Sequence, residues 1–352
     1  MNSKKVTIYD IAKKTNFSAV TVHRALNNKG RISEKTKSLI LKTAESMGYK
    51  ANPAAQGLRR AEIKIGAVLF CPVEEYVDDI ISGIKACGNE LEKYNVTVNV
   101  IKIPYTNNKE CLRQMCESIK TFADNEYNGI ILFASVFLDE INELSSTIEY
   151  ASQKGVCFAS VANSLPINKI VLHVGINAFM AGSMAAEILS FSCKNQKVAL
   201  LTAGKTSPIH IEYIEGFMNY SKDNAFSDVC IYEHYDNKEK VILATERMLS
   251  ENPDLSGVYI SSATSVLACH CIKEKSKTDL SIITTDLLSE TPSLLNDRVA
   301  DATIFQNPFK QGKKVVRCIY NYITRKTDTG IHLITPHVIM TSNLQSYLFD
   351  SD

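Results

Sequence analysis

The sequence predicts an α/β chain in two parts: a three-helix head over residues 1–51 and a two-lobed core of parallel sheets over 63–352, joined by a hinge at 52–62. Three observations predict it. Residues 7–48 contain three short amphipathic stretches, each opened by Thr or Ser. Charge is divided unevenly: residues 1–62 hold 13 Lys+Arg against 4 Asp+Glu, which leaves 26 basic and 34 acidic residues for the remainder from totals of 39 and 38. From Ile63 onward, short apolar runs alternate with helix-length amphipathic stretches, the pattern of parallel strands covered by helices on both faces.

The first helix starts at Thr7, whose hydroxyl can cap the amide three residues on, with Asp10 placed to reach back. Ile8, Ile11 and Ala12 fall at i, i+3, i+4 and form one inward stripe, while Lys13 and Lys14 stay in solvent. Residues 15–17 turn the chain. Ser18 then caps a second helix, Ala19 to Leu26, which Asn27-Asn28-Lys29-Gly30 stops. Its inward stripe is Val22, Ala25 and Leu26, so Ala19, Val20, His23 and Arg24 lie on the outer face and at the N-terminal end. The third helix runs from the cap Ser33 to Met47, with Leu39, Ile40, Ala44 and Met47 apolar and Gly48 as its stop.

A second helix presented in this way suits the major groove of DNA, where its first residues meet base edges. A basic surface alone also fits a solvated helical face. Joined to three capped helices at this spacing, it favours phosphate neutralisation and therefore nucleic acid. In the hinge, Asn52 as a cap and Pro53 at the first helical position predict a short helix, and Gly57 weakens it by roughly 1 kcal/mol relative to alanine. That helix is expected to form only when two copies pack together on DNA.

The core's strand-like runs are Ile65 to Phe70, Val96 to Ile103, Gly129 to Phe133 and Val156 to Val161, and after Lys169 Val171 to Val174, Lys197 to Thr202, Val229 to Tyr232, Gly257 to Ile260 and Ser281 to Thr284. Two such units in tandem predict two lobes with a cleft between them. Ligands of open α/β sheets bind at the carboxyl ends of strands, so the cleft between lobes is the expected pocket.

Catalytic signatures are missing. Gly204-Lys205-Thr206 resembles the end of a phosphate-binding loop, but the glycine required five positions earlier is Ala199, inside a strand. Cys269-His270-Cys271 is the one place where histidine and cysteine crowd together, and consecutive helical positions point in different directions. No enzyme, cofactor or metal is expected. Ten scattered cysteines without an apolar leader point to reduced thiols and a cytoplasmic protein, and the longest apolar stretch is too short to span a bilayer.

Thr7-Ile8-Tyr9-Asp10-Ile11-Ala12, the run Phe17 to Asn27 and Gly48-Tyr49-Lys50-Ala51-Asn52-Pro53 resemble the head-piece of the lactose-repressor/galactose-repressor (LacI/GalR) family of bacterial transcription regulators. The resemblance is dense over residues 6–60 and looser but colinear beyond. It implies that Ala19 and Val20 choose the operator, that Arg24 and Asn27 face DNA, and that Leu58 is a hinge leucine wedged into the minor groove. Thr7, Ser18, Thr21, His23, Ala55 and Arg59 complete the expected DNA-facing set. His23 stands where the family usually has serine, and Gln56-Gly57 where an Arg-Ser pair is common. Ala19 and Val20 carry no hydrogen-bonding side chain, so they are expected to read shape and thymine methyls.

For the core, the resemblance implies a fold similar to periplasmic sugar-binding proteins, with three interlobe crossings, the last two near 286–306 and 326–332, so that lobe 1 takes about 63–163 and 307–326 and lobe 2 about 166–300 and 331–342. A homodimer placing two heads on a pseudo-palindrome is expected. Its implied effector positions are Tyr76, Asn177, Phe179, Ser262, Asp286 and Gln306, with His210 as a further polar group. Tyr213 replaces an arginine that commonly clamps a sugar, Ile176 and Ala263 replace aspartates, and Thr341-Ser342 stand where an arginine is common. A sugar or sugar derivative is the expected effector, with fewer charged donors than the family norm. A solute-binding protein or an enzyme on a related two-lobed fold is the alternative reading.

Overall fold

The computed structural model describes residues 6–26, 32–49, 61–135, 141–205, 207–222, 226–276 and 279–348. The chain divides into two compact units, Met1–Arg60 and Ala61–Asp352.

In the first unit, α1 (Ile8–Thr15), α2 (Ala19–Leu26) and α3 (Glu34–Ser46) pack around Ile11, Val22, Ala25, Ile40 and Ala44. The caps form as the residue types dictate. The Thr7 amide donates to Asp10 Oδ2 at 2.8 Å while the Asp10 amide donates to Thr7 Oγ1 at 3.4 Å, a reciprocal capping box. Ser18 Oγ accepts the Thr21 amide at 3.1 Å and Ser33 Oγ the Thr36 amide at 3.2 Å. Gly48 ends α3 at φ +66°, and the Tyr49 amide returns to the Ala44 carbonyl at 2.9 Å. Not every apolar residue of α3 faces inward: Leu39 is 51% exposed. Helical spacing brings Ile40 and Ala44 inward as an i, i+4 pair, and Leu39, one residue away from Ile40, points about 100° aside.

The second unit runs in chain order β1 (Ile63–Phe70), α4 (Glu74–Glu92), β2 (Val96–Lys102), α5 (Asn108–Asp124), β3 (Gly129–Ala134), α6 (Asn142–Gln153), β4 (Cys157–Val161) and β5 (Ile170–Ile176). It continues α7 (Ala178–Ser192), β6 (Lys197–Thr202), α8 (Pro208–Ser221), β7 (Asp228–Glu233), α9 (Lys238–Glu251), β8 (Leu255–Ile260), α10 (Ser265–Lys275) and β9 (Ser281–Thr285). Last come α11 (Thr291–Asn296), β10 (Ala302–Phe305), α12 (Pro308–Arg325), β11 (Gly330–Ile334), β12 (His337–Ile339) and α13 (Leu344–Leu348).

These strands make two six-stranded sheets, ordered β11-β5-β4-β3-β1-β2 and β12-β10-β9-β8-β6-β7. Every pairing is parallel except β10 with β12. Each sheet has an apolar cluster on both faces, which is why β3 and β1 from Ile65 onward read as unbroken apolar runs.

The lobe boundaries differ from expectation. β5 was expected in lobe 2, but it pairs with β4 and β11, and its Leu172 and Val174 join the lobe 1 core. The stretch 331–342 is likewise divided, β11 lying in the first sheet and β12 in the second. The three crossings therefore fall after Ile176, after Phe305 and between Ile334 and His337, the last beyond the expected 326–332. An apolar run shows its period but not which of two similar sheets it joins.

α12 returns to lobe 1 and lies against α4 at very close range. A Cβ on Gly83 would stand 2.0 Å from the Phe309 carbonyl oxygen, and one on Gly312 2.1 Å from that of Ile80. Only residues without side chains allow two backbones to approach so closely.

Candidate functional site

On the head, α2 presents Val20, 60% exposed, and the exposed Arg24, with Ala19, Thr21 and His23 half-buried beside them. The Ser18 and Thr21 hydroxyls lie 2.9 Å apart and also serve the helix cap, while Thr7 is occupied in the α1 capping box. Asn27, Ala55, Leu58 and Arg59, together with the expected hinge helix, lie outside the described residues.

In the second unit a cavity opens at the carboxyl ends of strands from both lobes. Its walls include Cys71, Tyr76, Phe133 and Asn163 from lobe 1 and Ser207, His210, Tyr213, Asp236, Ser261, Ser262, Asp286 and Gln306 from lobe 2. Tyr76, one turn into α4, stands edge-on to Phe133 at 5.9 Å and donates to Gln306 Oε1 at 3.4 Å. Gln306 Nε2 donates to Asp286 Oδ2 at 2.9 Å, and Gln311 Nε2 donates to the Tyr76 hydroxyl at 3.3 Å and the Gln306 carbonyl at 3.0 Å. A continuous hydrogen-bonded chain thus runs from α12 through α4 to the end of β9. Outside it, Glu75 accepts from the Ser289 amide at 2.8 Å and the Ser289 hydroxyl at 3.0 Å, a second link between lobes.

Of the expected effector residues, Tyr76, His210, Tyr213, Ser262, Asp286 and Gln306 line this cavity. Asn177 and Phe179 do not. Asn177 Oδ1 accepts the Met180 amide at 2.9 Å and is the N-cap of α7, so its polar group is used locally. The Phe179 ring is 42% exposed, away from the cavity. Asp236 was missed: it sits just past β7, at the strand end where α/β ligands bind, and the apolar run ending at Tyr232 does not extend to it.

The site's electrostatics follow from burial. Asp286 is 1% exposed with φ +73°, and burial pushes its carboxyl up to about 7 despite the Gln306 hydrogen bond. Asp236 is pushed up to about 6 by burial. Burial holds His210 down at about 3 and His234 at about 4, so both imidazoles are neutral near pH 7. His234 Nδ1 accepts the Asp236 amide at 3.2 Å, which leaves Nε2–H for Ser262 Oγ at 3.3 Å; its 3.9 Å approach to Asp236 Oδ1 is then no ion pair. Burial also raises the Cys71 thiol to about 12 and the Tyr76 and Tyr213 phenols well above their usual range.

The buried side-chain oxygens lacking a partner among the described residues are Tyr213 OH, Asp236 Oδ1, Ser261 Oγ, Asp286 Oδ1 and Gln311 Oε1. All except Gln311, which touches the lining through Tyr76 and Gln306, belong to cavity walls. Buried polar atoms are normally satisfied, so the unmet groups gathered here are free to bond a polar molecule or water that enters the cavity. Among the described residues no group of His, Cys, Asp and Glu is arranged to hold a metal, and no helix is long and apolar enough to cross a membrane.

Comparisons with known proteins match both parts. Residues 7–52 match the model for bacterial regulatory proteins of the lacI family, and residues 72–327 match a periplasmic binding protein domain. Catabolite control protein A of Priestia megaterium is 21% identical over 343 residues, 95% of this chain and 97% of that protein. The HTH-type transcriptional regulator pepR1 of Lactobacillus delbrueckii subsp. lactis is 24% identical over 236 residues, 66% of each chain. Among solved structures, the glucose-galactose binding protein GanP from Geobacillus stearothermophilus superposes with TM-score 0.70 at 21% identity, covering 81% of this chain and 99% of that one. A solute binding protein from Burkholderia graminis in complex with D-arabinose gives 0.69 at 19%, covering 82% and 99%; such likenesses speak to the fold. A lacI-type helix-turn-helix head followed by a periplasmic-binding-protein domain over most of its length makes this chain a member of the lacI family of bacterial regulatory proteins.

Proposed function

We propose that the chain is a transcriptional repressor that binds a pseudo-palindromic operator as a homodimer in the cytoplasm and is controlled by a small polyhydroxylated effector in the interlobe cavity. The observation that carries this reading is the set of unsatisfied buried oxygens gathered at the strand ends, in a chain that also has a basic DNA-reading head. Val20, Ala19, His23 and Arg24 are assigned to the major groove, with Thr7, Ser18, Thr21 and Asn27 around them. Ala55, Leu58 and Arg59 are assigned to the hinge and minor groove. Tyr76, His210, Tyr213, Ser262, Asp286 and Gln306 are assigned to the effector, and Asp236 is added to them.

Regulation requires the effector to prefer one arrangement of the lobes, since only differential affinity can move an equilibrium. The links from Tyr76 to Gln306 and from Glu75 to Ser289 are the contacts that such a preference would make or break. A typical coupling is about 1–3 kcal/mol. The test is operator selection from a random duplex library, followed by fluorescence anisotropy on the selected site with and without a ligand panel. A strictly monomeric protein on DNA, or a selected site without two-fold symmetry, would count against the reading.

A further inference from the structure

The cavity carries an unbalanced charge. Among the described residues its walls include the carboxyl groups of Asp236 and Asp286 and no lysine or arginine, and its one lining histidine, His210, is neutral. Both carboxyls line the same cavity as Cys71, and Asp79 on α4 adds its field to Asp286 and Tyr76. Asp286 is almost completely buried, with one oxygen held by Gln306 and the other unpartnered in the cavity wall. Of the unmet atoms, Gln311 Oε1 can only accept hydrogen bonds, as can Asp236 Oδ1 and Asp286 Oδ1 once their carboxyls are ionised, as they are for the most part above pH 7. Tyr213, whose hydroxyl is unmet, supplies no cation.

We propose that the effector is a polyhydroxylated amine, a hexosamine in its simplest form, whose protonated nitrogen pairs with Asp286 and Asp236 while its hydroxyls meet Tyr213, Ser261 and Gln311. The inference rests on the cavity being the effector site. An ammonium carries three donors and no acceptor, which matches the two unmet carboxyl oxygens in the walls. It also neutralises charge that is costly to bury alone, through charge-assisted bonds stronger than those a neutral hydroxyl can form. A phosphorylated or carboxylated sugar would bring a further negative charge to carboxylates with no cation to receive it.

The full chain is titrated by calorimetry at pH 7.5 with matched sets: glucosamine, galactosamine and mannosamine; the parent hexoses; their N-acetyl derivatives; and the hexose 6-phosphates. N-acetylation removes the charge while leaving the ring hydroxyls. At least one amine is expected to bind tenfold or more tightly than its parent hexose and its N-acetyl form, with no binding of phosphates. Asp286→Asn and, independently, Asp236→Asn should each reduce that advantage severalfold. A hexose or hexose phosphate that binds as tightly as its amine overturns the inference, as does silence from every amine. The two failures are separable: operator release by a neutral hexose would refute the amine and leave the repressor reading intact.

Discussion

Replacing Asp286 by asparagine should make the ligand-free protein more stable at pH 8, although it removes a residue from the heart of the cavity. The carboxyl is 1% exposed and lifted from 3.8 to about 7, so ionising it in the folded state costs about 4 kcal/mol at pH 8. Between those two values the folded protein retains a proton that the unfolded chain has released. Asp286 therefore makes wild-type stability fall as pH rises from about 4 to about 7, and the loss is complete above that. Asparagine keeps the shape and can still accept from Gln306 Nε2, but it leaves the amide NH2 group unmet where Oδ1 stood, at about 1–3 kcal/mol. The net expectation is a gain of about 1–3 kcal/mol at pH 8 that shrinks as pH falls and reverses to a loss of up to about 3 kcal/mol near pH 4, where the ionisation cost has vanished and the unmet amide remains. Asp236 titrates in the same sense in both proteins and cancels in the difference. Urea unfolding followed by circular dichroism across this range is the assay; an Asn variant less stable than wild type at pH 8, or a difference independent of pH, would refute the reasoning.

Buried neutral imidazoles act with the opposite sign. His173, His210 and His234 are held at about 4, 3 and 4, so they destabilise the fold as pH falls below 6.5, where the unfolded chain takes up protons first. His173→Gln should reduce the stability lost between pH 7 and 4.5 by about 2–3 kcal/mol, read from urea midpoints at the two pH values. Glu75→Ala should weaken the interlobe link by about 1 kcal/mol and enlarge the radius of gyration of the ligand-free chain in small-angle scattering; identical curves would show that the link does not restrain the lobes. Gly83→Ala drives a methyl group into the Phe309 carbonyl and should cost about 3 kcal/mol or more, visible as a lowered melting temperature or insoluble protein. Val20→Asn, at an exposed position, should leave melting within about 0.5 kcal/mol while changing the operator sequence recovered by selection.

Local chemistry was readable where a residue determines its own surroundings. Thr7, Ser18 and Ser33 cap helices because their hydroxyls lie within reach of amides a few residues away, so the head's helices follow from neighbouring residues alone. The core's alternation was equally plain in runs such as Ile65 to Phe70. What remained hidden was non-local. β5 could join either sheet until β11 was seen beside it, and Asn177 has the same polar amide whether it caps a helix or meets a ligand. Asp236 became a site residue only once β7 was placed beside β6 in the sheet that also holds β8 and β9, information that no spacing within residues 228–237 contains.

The division of 330–339 between two sheets also bears on how the protein is made. Lobe 1 needs α12 for its core, through Val315, Val316 and Ile319, and needs β11 to cover the edge of β5. Residues 63–176 therefore emerge from a ribosome long before the pieces that complete them, with lobe 2 synthesised in between. The first sheet must wait with an uncovered edge and an open apolar face, both of which invite pairing with other chains. Late closure of this kind favours slow folding dominated by contacts distant in sequence. It also means that cutting the chain just before α12 would leave both sheets unfinished rather than removing a tail, since each draws its last strand from the same ten residues.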